Sequence, residues 1–366
     1  MKISTIIAAL ESFAPPAYQE SYDNSGLIIG NSSTECTGIL CTLDSTEDVV
    51  NEAIAKGCNL IVAHHPIVFS GLKKITGKSY VERTVIAAIK NDIAIYAMHT
   101  NADNVIKGVN DKIADALGLK NRMILATKFN LLSKLVTFIP LTHVEQVRVA
   151  LFENGAGNIG NYSEASYSVE GLGTYKANKW ANPFLGEIGI RHEEKERKLE
   201  VIFPNHIQNE LLNALRDAHP YEEVAYDIIP LSNENQEVGS GLIGELEMPT
   251  TEDAFLRKLK DIFKLDVIRH TTLLGKKISK VALCGGAGSF LTKNAINAKA
   301  DIFVTADVKY HEFFDADKKL IIADIGHWES EQFTTDLLFD ILHLKFPTFA
   351  VLKSEVITNS VKYFIK

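Results

Sequence analysis

The sequence is poor in the residues that mark unusual surroundings. Cysteine occurs four times, at Cys36, Cys41, Cys58 and Cys284, with no CxxC spacing. That excludes a disulfide framework and a thiolate zinc site, and the apolar neighbours of most of the four predict reduced core residues. No uncharged apolar run reaches the roughly 18–20 residues that a membrane-spanning helix needs. Basic residues are outnumbered, 38 against 46 acidic, for a formal net charge of −8. This balance argues against broad, non-specific nucleic-acid binding, while leaving room for an anionic small molecule held at a metal. The apolar run from Met1 is interrupted by Glu11 and is followed by no clean cleavage site, so it predicts an amphipathic helix over 3–13 rather than a secretion signal. The expected location is the cytoplasm.

What the sequence does contain is a rhythm of short apolar strands and helices. At 366 residues, 46% hydrophobic and 23% charged, there is chain enough for two or three domains with sizeable cores. Near the start, Gly38–Asp44 reads as an apolar strand, Ser45-Thr46 as a helix cap with Glu47-Asp48 in the first turn, and Gly57 as the helix stop. A second apolar strand, Asn59–Val62, leads into Ala63-His64-His65-Pro66. A helix over 79–91 and a strand, Ile93–Met98, follow and run into His99-Thr100-Asn101-Ala102-Asp103. This is the pattern of βαβ units with a parallel sheet. The last third repeats it: Lys280–Cys284 enters Gly285-Gly286-Ala287-Gly288-Ser289, a helix near 290–298 leads to Ala300–Asp307, and Leu320–Ile325 enters Gly326-His327-Trp328-Glu329-Ser330-Glu331. Between them, residues 126–231 read as strand, helix, strands near 163–170, 173–178, 186–192 and 198–203, a helix and a last strand. That order suggests an α+β sandwich of ferredoxin-like type. The expected fold class is therefore α/β: two similar three-layer lobes, 1–125 and 232–366, interrupted by an α+β insert, 126–231.

The chemistry-bearing residues gather at strand ends, where open α/β sheets collect ligands. Adjacent histidines at the end of a buried strand are hard to explain by packing, because successive side chains point to opposite faces. Both can reach one site only if the chain breaks there, and Pro66 supplies a break. Asp103 follows the next strand, and His327 and Glu331 follow a strand in the far lobe. If the segment from Trp328 onward is helical, these two share one face at i, i+4. Three histidines and two carboxylates exceed the three protein ligands usual for one catalytic zinc and suit a pair of ions. The mixed nitrogen and oxygen set fits Zn, Mn, Fe or Co. Blander readings stand beside this one: a solvated acidic first turn for His327/Glu331, and a turn former in Asp103. Gly285–Ser289 reads as either a tight strand–helix turn or a phosphate cradle at a helix N-terminus.

Tyr22-Asp23-Asn24-Ser25-Gly26-Leu27, Ala63-His64-His65-Pro66, His99-Thr100-Asn101-Ala102-Asp103, Gly285–Ser289, Asp307-Val308-Lys309-Tyr310-His311 and Gly326–Glu331 together resemble the GTP cyclohydrolase I type 2 homologue family, also called NIF-three-like. The middle segment, around His219-Pro220-Tyr221-Glu222, is similar to the PII/CutA-like insert of its longer bacterial members. The resemblance implies a dinuclear site of His64, His65, Asp103, His327 and Glu331, with Glu331 as the bridge and two divalent ions, first of all Zn. It also implies a ring-shaped homohexamer. Beside the ligand set, His99 and His311 read as neighbouring or proton-transfer groups, or as merely structural hydrogen-bonding residues. The activity the resemblance implies is hydrolysis in which a metal-bridged hydroxide attacks a purine ring or related electrophile. A nucleotide phosphohydrolase and a non-enzymatic metal-binding or regulatory assembly are the alternatives.

Overall fold

In the computed structural model, which describes residues 1–364, the apolar stretches form strands whose successive side chains serve different cores. Ile39, Cys41, Leu60, Val62, Ala94 and Tyr96 belong to one cluster, while Leu40, Ile61, Ala63 and Ile95 belong to another. A strand buried on both faces must be apolar throughout, which is why these stretches carry no polar alternation. The C-terminal strands behave alike. Val281, Leu283, Ile302, Val304, Ile321 and Ala323 join the first cluster, and Ala282, Cys284, Phe303 and Ile322 form part of a separate one. All four cysteines are free and buried.

The two sheets follow one plan. The first has the order Gly26–Ile29, Ala94–Ala97, Leu60–Ala63, Ile39–Thr42, Val351–Lys353. The second has the order Arg269–His270, Ile321–Asp324, Ile302–Ala306, Lys277–Ala287, Glu234–Thr251, Lys120–Phe129. The first contains four consecutive parallel strands and the second three, and in each a further strand lies antiparallel beside the end strand of that run, Ala94–Ala97 or Ile321–Asp324. The likeness of the two halves thus holds for four strands and ends at the next neighbour, which is parallel in the first sheet and antiparallel in the second. Strands are also exchanged, since Val351–Lys353 extends the first sheet parallel to Ile39–Thr42 and Lys120–Phe129 extends the second. Both sheets belong to one compact unit, formed by Met1–Thr127 and the chain from Glu237 onward.

Helices fill the space between the strands of this unit. Ile3, Ile6 and Leu10 of Ile3–Phe13, Phe255 and Leu259 of Glu252–Phe263, and Leu338 and Leu342 of Thr334–Lys345 enter the shared core. Thr46 caps Glu47–Ala55 by accepting the Val49 N–H at 3.4 Å, a contribution of about 1 kcal/mol. The single helix expected from Trp328 onward is two helices, His327–Glu331 and Thr334–Lys345. The Gln332 side-chain amide donates to the Glu329 carbonyl at 2.8 Å, the acceptor that Phe333 N–H would use in a continuous helix. Likewise, the helix expected near 290–298 opens with a 3-10 turn, Ser289–Leu291, before Thr292–Asn297. Among the described residues, no helix is long and apolar enough to cross a membrane.

The second unit, Lys128–Gln236, is built separately around its own core. Its elements run Leu132–Pro140, Val144–Glu153, Ser166–Lys176, Arg191–Pro204, Gln208–Ala218 and Tyr226–Leu231. The sheet order is 166–176, 191–204, 132–140, 226–231, with every neighbouring pair antiparallel. Strand–helix–strand–strand–helix–strand is the element order of a ferredoxin-like unit. The four short strands expected over 163–203 are two long ones. Gly171 and Gly173, which look like punctuation in the sequence, stay in the ladder opposite Glu196 and Glu194.

Candidate metal centre

The chain bends as soon as the strand Leu60–Ala63 ends. The N–H groups of His64 and His65 both donate to the Leu43 carbonyl, at 3.2 and 2.9 Å. The pleat that would send successive side chains to opposite faces is lost, and the two rings lie with centroids 4.8 Å apart. The break expected from Pro66 thus falls at the histidines themselves, with Leu43 holding it. The next strand, Ala94–Ala97, leads to His99 and the one-turn helix Thr100–Asp103. In the second sheet, Ile321–Asp324 passes through Gly326, at φ 91°, into His327–Glu331.

These strand ends meet. His64 Nε2 lies 3.7 Å from Asp103 Oδ1 and 3.8 Å from Glu331 Oε1. His65 and His327 bring their Nε2 atoms to 3.0 and 3.2 Å from Glu331 Oε2. The i, i+4 spacing therefore does put His327 and Glu331 on one face. The donors form three groups, each with its atoms within 4.8 Å of one another: His64, Asp103 and Glu331; His65, His327 and Glu331; His64, His65 and His99. His64 Nε2, His65 Nε2, Asp103 Oδ1 and Glu331 Oε2 are buried, and beyond these approaches to one another they meet no hydrogen-bond partner among the described residues. Buried polar atoms that turn only toward one another fit donors arranged for an ion. Nitrogen and oxygen without thiolate fits a divalent transition metal.

Each imidazole is held from its other nitrogen. Nδ1 of His64 bonds the Met98 carbonyl at 2.9 Å, that of His65 meets Asp44 at 2.7 Å, that of His99 meets Asp23 at 2.7 Å, and that of His327 meets Asp307 at 2.6 Å. Such bonds favour the tautomer with the proton on Nδ1, leaving a lone pair on Nε2 for a metal. Asp44 also accepts from the Thr358 hydroxyl, which in turn accepts from the Trp328 indole at 3.2 Å. Asp23 binds the Thr100 N–H at 3.0 Å and the Ser25 hydroxyl at 2.8 Å. Burial works against its charge, but the bonds from His99, Thr100 and Ser25 hold it well below the usual carboxylate range.

In the metal-free cluster positive charge is favoured on His65 and His327. Burial disfavours it, yet Asp44 and Glu331 outweigh burial and raise His65 to about 10. Against the same opposition, Glu331 and Asp307 raise His327 to about 9. Burial would raise Glu331, but the three imidazoles hold it well below the ordinary range. Asp103 goes the other way, pushed up by burial and then by the negative charge of Glu331.

The sequence reading missed Asp44, Asp23 and Asp307. Asp23 stands in a motif with no role assigned to it, and Asp44 reads only as the end of a strand. A signal existed for Asp307, which ends the strand Ile302–Ala306 as His64 ends Leu60–Ala63. Of the two proposed proton-transfer histidines, His99 lies among the donors. His311 is exposed on the 3-10 helix Tyr310–Ala316 against Tyr310 and Phe314, and joins none of the three donor groups among the described residues. Gly285–Ala287 is the irregular end of the strand Lys277–Ala287, its register against Ile302–Ala306 shifted after Leu283, and the chain then enters the 3-10 turn Ser289–Leu291; it is not a free phosphate cradle. The N–H groups at Gly285, Gly286 and Gly288 are taken by Asn110, Ser330 and Thr305, at 3.0, 2.9 and 3.0 Å. Gly286 has a separate duty. It stands at φ 62°, and a Cβ there would come within 2.4 Å of Glu331 Oε1 and 3.2 Å of His327 Nε2.

The chain is similar to known proteins along most of its length. A family model described as Duf34/NIF3 (NGG1p interacting factor 3) matches residues 1–360. Proteins named GTP cyclohydrolase 1 type 2 homolog are similar to the chain. The one from Halalkalibacterium halodurans is 42% identical over 332 residues, covering 89% of each chain. That from Bacillus subtilis is 39% identical over 325 residues, covering 88% of this chain and 87% of the relative. A solved structure of a Bacillus cereus protein related to NIF3 superposes with a TM-score of 0.88 at 37% identity, covering 100% of this chain and 99% of that one.

Proposed function

The chain belongs to the Duf34/NIF3 family, and on that footing we propose that its histidine–carboxylate cluster holds two divalent metal ions and serves hydrolysis of a nucleotide-like substrate. The observation that carries this reading is the sharing of Glu331 by two donor triads, one with His64 and Asp103 and one with His65 and His327. Adjacent histidines then have a physical reason, since each serves a different ion of the pair. The names of the relatives, GTP cyclohydrolase 1 type 2 homolog, point to hydrolytic chemistry on a purine nucleotide.

Two ions held there would supply Lewis acidity and a water acidified to near neutrality. The protein residues do the rest. Asp44, Asp307 and the Met98 carbonyl keep the imidazoles turned toward the shared carboxylate. His99, fixed by Asp23, is the side chain positioned to hold or pass a proton beside His64 and His65. Exposed Tyr22 and Phe69, with ring centroids 6.4 Å apart and Phe69 6.2 Å from His99, offer a stacking surface for a planar base. The ring-shaped homohexamer implied by the family resemblance belongs to the same reading and is tested by the protein's mass in sedimentation.

The deciding experiment loads the full chain with zinc or manganese, measures metal per chain, and incubates it with GTP. The expected result is about two ions per chain, release of formate, and loss of turnover in Glu331→Gln with the assembly intact. Phosphate without formate would favour phosphoryl transfer. Two ions with no turnover would favour a metal-holding protein, and one ion or none would overturn the dinuclear reading.

A further inference from the structure

The second unit contains a cavity of its own, of about 900 Å³ and lined wholly by residues of 138–225. Its floor is one side of the strand pair Ser166–Lys176 and Arg191–Pro204. The carboxylate of Glu196 lies there, on a residue only 8% exposed. Room for it exists because the neighbouring strand has glycine at 173, where a Cβ would fall 2.0 Å from Glu196 Oε2. Glycine within a strand marks such a close approach.

Aromatic rings surround this carboxylate. Tyr221 donates its hydroxyl to Glu196 Oε1 at 3.0 Å, and its ring stands edge-on to Tyr175 with centroids 5.9 Å apart. Phe184 follows at 6.3 Å from Tyr221, and Phe138 and Trp180 are the other rings in the lining. The loop carrying Trp180 and Phe184 is tied down at two points. Tyr175 donates to the Leu185 carbonyl at 2.8 Å, and the Asn182 N–H donates to Glu222 at 2.7 Å. The pocket is therefore built into the fold rather than left by a loose loop.

Its charges are unequally matched. Glu170 is paired with Arg197 at 3.5 Å, and Lys198 with Glu200 at 2.6 Å. Glu196 makes no ion pair among the described residues, and a tyrosine hydroxyl is a weak counterpart for a buried carboxylate. A negative charge screened from water needs a positive partner. Ring faces attract the same partner, most strongly where it is desolvated. An anion would meet Glu196 at the floor, and a neutral apolar molecule would leave the carboxylate unmatched. We propose that this pocket binds a small organic cation, an amine or quaternary ammonium with a compact apolar body, its charge on Glu196 and its body among Tyr175, Tyr221, Phe184 and Trp180.

The test is equilibrium dialysis of the full-length chain against choline and, separately, its neutral carbon isostere 3,3-dimethylbutan-1-ol. Choline is expected to bind saturably and the isostere about tenfold more weakly or not at all. Glu196→Gln should lose about tenfold in choline affinity. Trp180→Leu, on a residue 84% exposed that carries no core packing, should weaken binding while the thermal transition stays in place. Equal binding of the isostere, or choline affinity unchanged in both variants, overturns the proposal. So does the absence of saturable choline binding, the result expected if a second copy of the chain covers the pocket.

Discussion

Each imidazole of the candidate centre is held by the protein through Nδ1, while its Nε2 belongs to the cluster of candidate donors. The holding groups make a prediction about protons. Asp44, Glu331 and Asp307 raise His65 to about 10 and His327 to about 9 in the metal-free protein. A base whose pKa is raised carries its proton at every pH below that value, so both rings are charged at pH 7. A metal ligand cannot keep that proton. Calorimetric titration of zinc at pH 7, repeated in buffers of different ionisation enthalpy, should therefore show release of about two protons per chain. Affinity should fall as the pH is lowered, because each step down strengthens the competing proton. Release near zero would mean that these imidazoles are not ligands. At this scale the candidate donors were legible because His64 and His65 break the apolar rule at a strand end and Glu331 falls four residues after His327 in the segment that follows another. Their holders were not, because Asp44, Asp23 and Asp307 sit in ordinary polar surroundings and acquire meaning only from partners 21, 76 and 20 residues away.

Among the elements, the two sheets place comparable strand ends around one centre and use them differently. Leu60–Ala63 ends in the histidine pair, while its counterpart Ile302–Ala306 ends in Asp307, which holds a histidine from behind. Ala94–Ala97 leads to His99 and Asp103, and Ile321–Asp324 leads to His327 and Glu331, a histidine and a carboxylate four residues later in both cases. The strand Lys277–Ala287 contributes no donor to these groups and brings its backbone against Glu331 instead. Gly286→Ala should accordingly cost about 1–2 kcal/mol from the left-handed backbone alone, and its Cβ should also displace the Glu331 carboxylate. Lower thermal stability together with reduced metal per chain is the expected result, read by calorimetry and elemental analysis. A variant with full metal content would show that Glu331 does not need this close approach. The strand rhythm was legible because buried parallel strands are uniformly apolar. The break between His327–Glu331 and Thr334–Lys345 was not, because Gln332 interrupts the helix through a side-chain bond rather than through proline or glycine.

For the molecule as a whole, the centre draws on segments as far apart as 23–26, 63–65, 99–103, 286 and 326–331, with Thr358 supporting Asp44. An ion bound to such a set stabilises the folded state alone, by about 2.7 kcal/mol at a hundredfold excess over its dissociation constant. Chelation of metal-loaded protein should lower the thermal midpoint, and restored zinc should recover it. An unchanged midpoint across that cycle would separate the cluster from metal binding. Sequence by itself determined the alternation of strands and helices and the likeness of the two halves, and it singled out the candidate donors, because local periodicity and misplaced polar residues record these directly. Only the tertiary structure decided that Val351–Lys353 completes the first sheet, that Glu331 is shared by two triads, that Gly285–Ala287 ends a strand with its glycine N–H groups taken, and that His311 stands outside the donor groups among the described residues. Those outcomes depend on which distant groups meet, and pairing across hundreds of residues leaves no periodic trace in the chain.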